Sequence, residues 1–303
     1  MGFISNMITI AGKVGVRLHL LKEMVIVRVD GGICSQMNFV VFGECLRKKG
    51  YSVKYDLSWF GKDGRDLDGV DVRNWDFPKI FPDIKIPVSS GIETFLYRKV
   101  FYYQGDSDGL HFYDWEDKLK PPCYAYGYYK WSNTKAWLDI FDELFRVDYT
   151  ILDENSMEIY RDIISKNNAV GVHVRRGDLA KYNAAYGEPL KEQYFIDAVT
   201  YLIKEHGCSD FYYFSDDKIW CAGLIDKIRN RCDTNHNLVN LNGSDKGYQD
   251  LMLLSACPIK VCSKGSLGQT AVHLSGTTTK CVILPKAEQS FFSERQMIKV
   301  VYV

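Results

Sequence analysis

Apolar residues recur along the chain at two spacings, one typical of strands and one typical of helices. Residues 24–29 form a short β-branched run that ends at a glycine turn, which predicts a strand. From Gln36 to Lys49 the apolar positions follow helical spacing, and Gly50 ends the pattern. Residues 51–56 then alternate as a second strand. The order strand, helix, strand within about thirty residues predicts a βαβ unit.

The next part of the chain has a weaker pattern. Residues 57–135 contain five of the eight prolines and many aromatic side chains, so we expect short helices and loops that shape a binding face. Residues 136–165 carry apolar side chains at helical spacing, and a helix from 154 to 165 would lead out of the first domain. Because 303 residues exceed the usual size of one core, we expect two domains, residues 24–155 and 156–303.

The second half alternates short strands with helices. This order predicts a parallel sheet covered by helices on both faces, and hence an α/β fold. The predicted strands are 168–178, 211–214, 238–241, 259–262 and 280–285, and the predicted helices are 193–205, 218–229, 249–257 and 269–274. Ligands of such folds bind beyond the carboxyl ends of the strands, so the polar residues there are candidate site residues.

Composition narrows the possible functions. The 38 basic and 38 acidic residues cancel, which argues against binding of nucleic acid through bulk charge. No apolar run reaches the roughly 20 residues that span a bilayer. The nine cysteines form no CxxC pair, and several, such as Cys257 and Cys262, lie in apolar runs as small buried side chains. This usage favours a reducing, cytoplasmic location.

The first 23 residues have no clear assignment. Lys13, Arg17 and Lys22 are interspersed with short apolar stretches, without the order of a signal peptide. A leader, an accessory helix and an upstream start are all compatible with this pattern.

Among the polar segments that follow predicted strands, the clearest candidate for a functional site is His173-Val174-Arg175-Arg176-Gly177-Asp178. A guanidinium offers a planar fork of donors that suits phosphate oxygens, and it stays charged. A fixed cation would lower the barrier to departure of a diphosphate. Asp178 can brace one guanidinium; a purely structural ion-pair turn is the alternative.

Two further strand ends carry candidate residues. Asp216 and Asp217 follow an aromatic strand, where paired carboxylates either hold a metal or cap the next helix. With no other ligand cluster in the sequence, we predict no metal. Small residues from Ser263 to Gly268 lead into a helix, an arrangement that suits a phosphate, although an ordinary strand-to-helix turn has the same composition. GxGxxG and HExxH are absent, which removes the commonest dinucleotide and zinc-protease motifs.

These segments resemble, in order, the motifs of a known superfamily. Residues 173–178 resemble the HxRRxD motif of the α-1,2- and α-1,6-fucosyltransferases. Residues 214–217, and 250–257 with 263–266, resemble the second and third motifs. Residues 31–37 resemble the GGxGNQM element of the bacterial α-1,2 branch, glycosyltransferase family 11.

The resemblance implies a GT-B fold of two Rossmann-like domains, in which the two parallel sheets face a cleft and the carboxyl-terminal domain holds the nucleotide. It implies inverting transfer of L-fucose from GDP-fucose to a terminal galactose in α-1,2 linkage, without a metal or other cofactor. The acceptor would be a galactose-terminated oligosaccharide or lipid-linked glycan of an O-antigen or capsule. A lipid-linked acceptor would bring a cytoplasmic enzyme into peripheral contact with the membrane.

The resemblance also assigns roles to residues. Arg175 would bind the diphosphate and stabilise the leaving GDP, with Arg176 in support and Asp178 orienting the pair. The remaining expected contacts are His173 and Asp250 on the guanine side, Ser263, Ser266 and Asp216 at the donor site, and Gly32, Ser35 and Gln36 facing the cleft on the acceptor side. By location alone, Asp178, Glu188 and Asp30 are candidate general bases.

The sequence departs from the family pattern at Cys34 and Ser35, at Lys260 and at residues 267–269. These departures concern acceptor choice and linkage and leave the arginine motif intact. An α-1,6 or other GDP-sugar transferase, and a non-catalytic glycan- or nucleotide-sugar-binding protein, therefore remain alternatives.

Overall fold

The computed structural model describes residues 23–62, 64, 72–104, 111–112, 119–129, 135–181, 188–241, 247–286 and 299–303, together with Met7, Ile10, Gly12, Val14 and Gly15. The chain divides into two compact units. Unit 1 comprises residues 1–78 and 82–144, and unit 2 comprises residues 79–81 and 145–303.

Unit 1 is built on a parallel four-stranded sheet of order β2-β1-β5-β3. Its strands are β1 (Met24–Arg28), β2 (Ser52–Asp56), β3 (Tyr102–Gln104) and β5 (Cys123–Tyr126). A two-residue pair, β4 (His111–Phe112) and β6 (Tyr128–Tyr129), lies outside this sheet. The helices are α1 (Ile33–Lys48), α2 (Ser58–Lys62), α4 (Gly91–Val100) and α5 (Lys135–Leu144), together with the first two residues of α3 (Phe77–Ile80), whose last two belong to unit 2. β1, α1 and β2 form the predicted βαβ unit.

The irregular segment contains more sheet than the sequence predicts. β5 lies between β1 and β3, so a strand at the centre of the sheet falls where short helices and loops are expected. β5 has only four residues and lacks a strong alternating pattern, because its first three residues are all buried. α4, in contrast, has a local signal: Ser90 accepts from the Glu93 amide and Glu93 reaches back to the Ser90 amide, a capping box visible in the sequence.

Unit 2 contains a parallel six-stranded sheet of order β12-β11-β10-β7-β8-β9. Its strands are β7 (Val170–Val174), β8 (Asp210–Ser215), β9 (Asn235–Leu238), β10 (Ile259–Val261), β11 (Cys281–Leu284) and β12 (Lys299–Tyr302). Its helices are α6 (Glu154–Ser165), α7 (Gly177–Lys181), α8 (Glu192–His206), α9 (Lys218–Arg229), α10 (Gly247–Ala256) and α11 (Ser266–Ser275). The predicted α/β class with two Rossmann-like units and parallel sheets is confirmed; the cleft between them stays a prediction.

Two strands of unit 2 differ from expectation. β9 begins at Asn235, whereas the apolar run predicts residues 238–241. The shift arises because His236 is buried beside β8, stacked on Phe211 at 5.1 Å between ring centroids and hydrogen-bonded to the Tyr213 hydroxyl at 2.9 Å. β12 is an additional edge strand beyond the last predicted one.

The division between units falls at residues 144 and 145, earlier than the predicted boundary near residue 155. The intervening segment and α6 pack on α10: the Tyr149 hydroxyl lies 2.9 Å from Ser255 Oγ, and Ser156 Oγ donates to Gln249 Oε1 at 2.8 Å. The helix expected to lead out of the first domain is therefore part of the second.

The strand order of unit 2 reverses its direction between β7 and β10. The chain builds β8 and β9 on one side of β7, then crosses to place β10, β11 and β12 on the other side. At such a topological switch point the connections leave the sheet in opposite directions, so a crevice opens between the carboxyl ends of β7 and β10. The Arg175 segment follows β7, and the Ser263 segment follows β10.

Candidate active site

Arg175 and Ser263 join the two strand ends at the switch point. The backbone amide of Arg175 donates to Ser263 Oγ at 3.0 Å. Parallel pairing of β7 with β10, with Val172 beside Val261, brings these two residues together although 88 positions separate them. Two segments selected separately from the sequence therefore share one site.

The Arg175 side chain lies against the first turn of α11. Gly265 adopts φ +99°, and a Cβ atom built there would lie 2.3 Å from Arg175 Nη1. Only glycine permits both this backbone conformation and this close approach. The guanidinium is thus held beside the residue that precedes α11.

The start of α11 lacks a side-chain cap. Gly265 occupies the N-cap position and supplies no capping hydrogen bond, and Ser266, the first helical residue, is exposed. Uncapped amides at a helix amino terminus carry partial positive charge and bind anions. A permanent cation and an uncapped helix terminus are adjacent here, as a bound diphosphate would require.

His173 also lies beside the first turn of α11, on the side that is buried. It is buried in β7, and a Cβ atom built on Gly268 of α11 would lie 3.2 Å from its Nδ1. His173, Arg175, Ser263 and Ser266 are therefore brought together around the first turn of α11.

Arg176 points elsewhere. Its amide donates to Asp216 Oδ1 at 2.8 Å, and its guanidinium carbon lies 4.5 Å from the Trp220 ring centroid. Its Nε lies 3.6 Å from Asp217 Oδ2. The second arginine of the motif thus packs on the first turn of α9. This geometry is that of a structural ion-pair turn, the alternative given for this segment from the sequence.

Asp216 and Asp217 have structural partners. Asp217 caps α9, because its side chain accepts from the Trp220 amide at 3.0 Å, while Asp216 holds the Arg176 amide. Within the described ranges, no group of three or more His, Cys, Asp or Glu side chains is arranged to hold a metal ion. A helix cap therefore accounts for Asp217.

Asp250 lies in the first turn of α10. Its Oδ1 is buried and has no hydrogen-bond partner among the described residues. Burial raises the pKa of this carboxyl to about 6, and the charge of Lys218 only partly opposes the shift. Since a buried carboxylate without a donor is costly, such a group is a candidate ligand contact.

The Asp178 residue belongs to α7, but its side chain lies outside the described part of the structure. Its orienting role stays a prediction.

On the acceptor side, Gly32 and Ser35 are partly exposed at the start of α1, and Gln36 is buried. The Gln36 amide nitrogen donates to the carbonyls of Gly31 at 3.1 Å and Asn74 at 2.8 Å. Its oxygen accepts from the amides of Asp76 and Phe77, each at 3.0 Å. Both donors and both lone pairs are used, so Gln36 fixes the glycine turn and has no capacity left for a ligand.

Some of these contacts have no sequence signal. Trp220 beneath Arg176, and Lys218 near Asp250, follow from packing between elements distant in the chain. The four hydrogen bonds of Gln36 likewise span up to 41 positions.

An α/β unit with an arginine and an uncapped helix terminus at its switch point has the arrangement with which this class of fold binds phosphate groups. Residues 111–302 match the family model described as glycosyl transferase family 11, and the chain belongs to that family.

One curated relative is an alpha-1,2-colitosyltransferase from Escherichia coli. It is 31% identical over 109 residues, which cover 34% of this chain and 36% of the relative. The match thus spans little more than a third of that protein.

Solved structures of similar architecture include POFUT1 in complex with GDP, with 11% identity, coverage of 84% of this chain and 94% of that one, and a TM-score of 0.43. The Escherichia coli heptosyltransferase WaaC with ADP-2-deoxy-2-fluoro heptose has 11% identity, covers 92% of both chains and has a TM-score of 0.42. Family membership rests on residues 111–302 and not on these distant likenesses.

Proposed function

We propose that this protein is an inverting glycosyltransferase that transfers L-fucose from GDP-fucose to a terminal galactose in α-1,2 linkage. The observation that carries the proposal is the position of Arg175, held between Ser263 and Gly265 at the switch point of unit 2. Membership of glycosyl transferase family 11 supports the reaction class.

In this reaction the acceptor hydroxyl attacks the anomeric carbon of the sugar. The bond from that carbon to the β-phosphate oxygen breaks as the new glycosidic bond forms, and the hydroxyl proton passes to a general base, for which Asp178, Glu188 and Asp30 are the candidates. Attack from the opposite face converts the β-linked donor into an α-linked product. Negative charge grows on the departing GDP, and the Arg175 guanidinium and the amides of α11 would stabilise it.

Asp250 supports guanine as the base of the donor. Guanine presents two adjacent N–H donors on one edge, and a carboxylate is their natural acceptor. Such a contact would give the buried Oδ1 of Asp250 the hydrogen bond that it lacks within the described structure. His173 joins the donor site by its position under α11.

GDP-colitose is a second candidate donor, favoured by the name of the 31%-identical relative, alpha-1,2-colitosyltransferase. Colitose is fucose without its 3-hydroxyl, so the two donors differ by one polar group. A site built to hydrogen-bond that hydroxyl would discriminate strongly against the sugar that lacks it.

The acceptor completes the proposal. By resemblance to its family, the protein acts on galactose-terminated oligosaccharides or lipid-linked precursors of an O-antigen or capsule, on the cytoplasmic side of the membrane.

The test is an assay of the purified protein in EDTA, with GDP-fucose and GDP-colitose offered separately to a panel of galactose-terminated acceptors. Products are identified by mass and by linkage analysis. We expect a 2-linked fucosyl product. A colitosyl product alone would move the assignment to the second donor, a 6-linked product would move it to another branch, and absence of GDP binding would refute the donor site.

A further inference from the structure

Exposed large apolar side chains are concentrated in unit 1. In the described part of the chain they are Met7, Ile10, Val14, Val72, Val88, Ile92, Phe95 and Tyr102 in unit 1, against Ile164 and Ile219 in unit 2. Single exposed apolar residues are normal, but a group on adjacent helices marks an interaction surface.

The first contributor is a helical stretch near the amino terminus. Met7, Ile10 and Val14 are helical and are spaced by three and four positions, so they share one side of a helix. Gly12, on the opposite side, is buried against α4: a Cβ atom built there would lie 2.7 Å from Val100 Cγ2. The stretch therefore packs on α4 through a glycine and turns its apolar stripe outward.

The second contributor is α4 itself. Tyr97 faces the core of unit 1, whereas Ile92 and Phe95 are 74% and 51% exposed. Arg98 and Lys99, also exposed, follow one turn later. We call Met7, Ile10, Val14, Ile92 and Phe95 the apolar face.

By sequence, the two segments that carry this face have a positive net charge. Residues 1–22 contain Lys13, Arg17 and Lys22 and no Asp or Glu, in a chain whose net charge is zero, and Arg98 and Lys99 add to them on α4. Apolar side chains beside lysines and arginines suit a bilayer that carries anionic lipids, since the acyl boundary takes the former and the headgroups attract the latter. A second copy of the chain would bring like charges together and fits less well.

We infer that the apolar face binds the surface of an anionic membrane. In the described residues no helix is long and apolar enough to cross a bilayer, so the helices would lie on it. The inference stands on exposure and charge in unit 1 and is independent of the proposed donor site in unit 2.

The experiment measures co-sedimentation of the full chain with phosphatidylserine–phosphatidylcholine vesicles and with phosphatidylcholine vesicles alone. The test variant is Ile92→Ser/Phe95→Ser. The matched control is Ile219→Ser, which removes a side chain that is 89% exposed in unit 2. Because all three positions are exposed, each variant should fold, which circular dichroism and an unchanged Kd for GDP will check.

We expect the wild type and Ile219→Ser to bind the anionic vesicles equally, with an affinity that falls as salt rises. The double variant should bind at least roughly tenfold more weakly, because two side chains no longer enter the interface. Replacing Arg98 and Lys99 by Gln should weaken binding to anionic vesicles about fivefold for each charge removed, and should leave binding to neutral vesicles unchanged.

Equal binding of the double variant and the wild type would overturn the inference. So would equal binding to neutral and anionic vesicles. Self-association of the wild type in solution that the double variant abolishes, without vesicle binding, would reassign the face to a second copy of the chain.

Discussion

Arg175 and Arg176 are neighbours in the chain but have different surroundings. Arg175 lies beside the uncapped start of α11, whereas Arg176 stacks on Trp220 and pairs with Asp217. We therefore expect Arg175→Ala to lower kcat/KM by about 10²–10³-fold, the usual effect of removing a group that stabilises developing charge. Arg176→Ala should lower kcat/KM by only about tenfold and act partly through stability.

Steady-state kinetics on both variants, with circular dichroism as a folding control, measure the difference. Similar losses for the two would show that the motif acts as a unit, and full activity of Arg175→Ala would refute its assignment.

Gly265 and Gly207 form a matched pair of glycines with positive φ. Gly265 has φ +99° beside the Arg175 guanidinium, and Gly207 has φ +61° at the end of α8 with open space around it. Each Gly→Ala change should cost about 1–2 kcal/mol of unfolding free energy from backbone strain. Only Gly265→Ala displaces Arg175, so it alone should weaken GDP binding, by about tenfold or more. Urea unfolding and calorimetric titration test this; equal GDP affinities would show that Arg175 does not bind the phosphates.

Asp250 makes stability depend on pH. Its pKa is about 6 in the folded protein against an ordinary 3.8, so between these values the folded chain binds a proton that the unfolded chain does not. Stability from this group therefore falls as pH rises from 4 to 6, and above 6 the full cost of burying the charge remains.

Asp250→Asn removes that cost. At pH 8 the variant should be more stable than the wild type by roughly 3 kcal/mol, and the difference should vanish near pH 4. The same change should weaken GDP binding if the carboxylate accepts the guanine N–H groups. Thermal unfolding across pH, with the exposed Asp226→Asn as control, measures the first effect; a stability difference independent of pH would contradict it.

At the scale of elements, Gln36 attaches the segment 74–77 to the start of α1. Its four hydrogen bonds are buried, and loss of the side chain would leave the partner groups unsatisfied. We expect Gln36→Ala to lower the free energy of unfolding by about 2–4 kcal/mol. Gln193→Ala, at an exposed position of α8, should change it by less than about 0.5 kcal/mol. Equal urea midpoints for the two variants would refute the structural role of Gln36.

Across the whole molecule, the two units have separate sheets, and the proposed donor site lies in one of them. Addition of GDP should therefore slow amide hydrogen exchange most at residues 173–177 and 263–268 of unit 2. Strands β1, β2 and β5 of unit 1 should change less. Hydrogen exchange followed by mass spectrometry tests this, and protection confined to unit 1 would contradict a donor site at the switch point of β7 and β10.

Much of the fold is encoded locally. The helix from 218 to 229 has the predicted bounds, β8, β10 and β11 lie within two residues of the predicted runs, and β7 lies inside its longer predicted run. These elements have apolar runs or helical spacing bounded by turn residues, which are properties of neighbouring positions. β5 was not predicted, and β9 begins three residues before its predicted run, because aromatic or polar strands are identified as strands only by the partners beside them.

The sequence by itself determined the α/β class, the order of the motifs and their placement at strand ends, since these depend on local periodicity and short spacings. Only the tertiary structure decided that the Arg175 and Ser263 segments meet and that Arg176 turns toward Trp220. It also decided that backbone groups occupy all four hydrogen-bonding positions of the Gln36 side chain. These facts depend on strand order and on packing between residues tens of positions apart, and no local pattern contains that information.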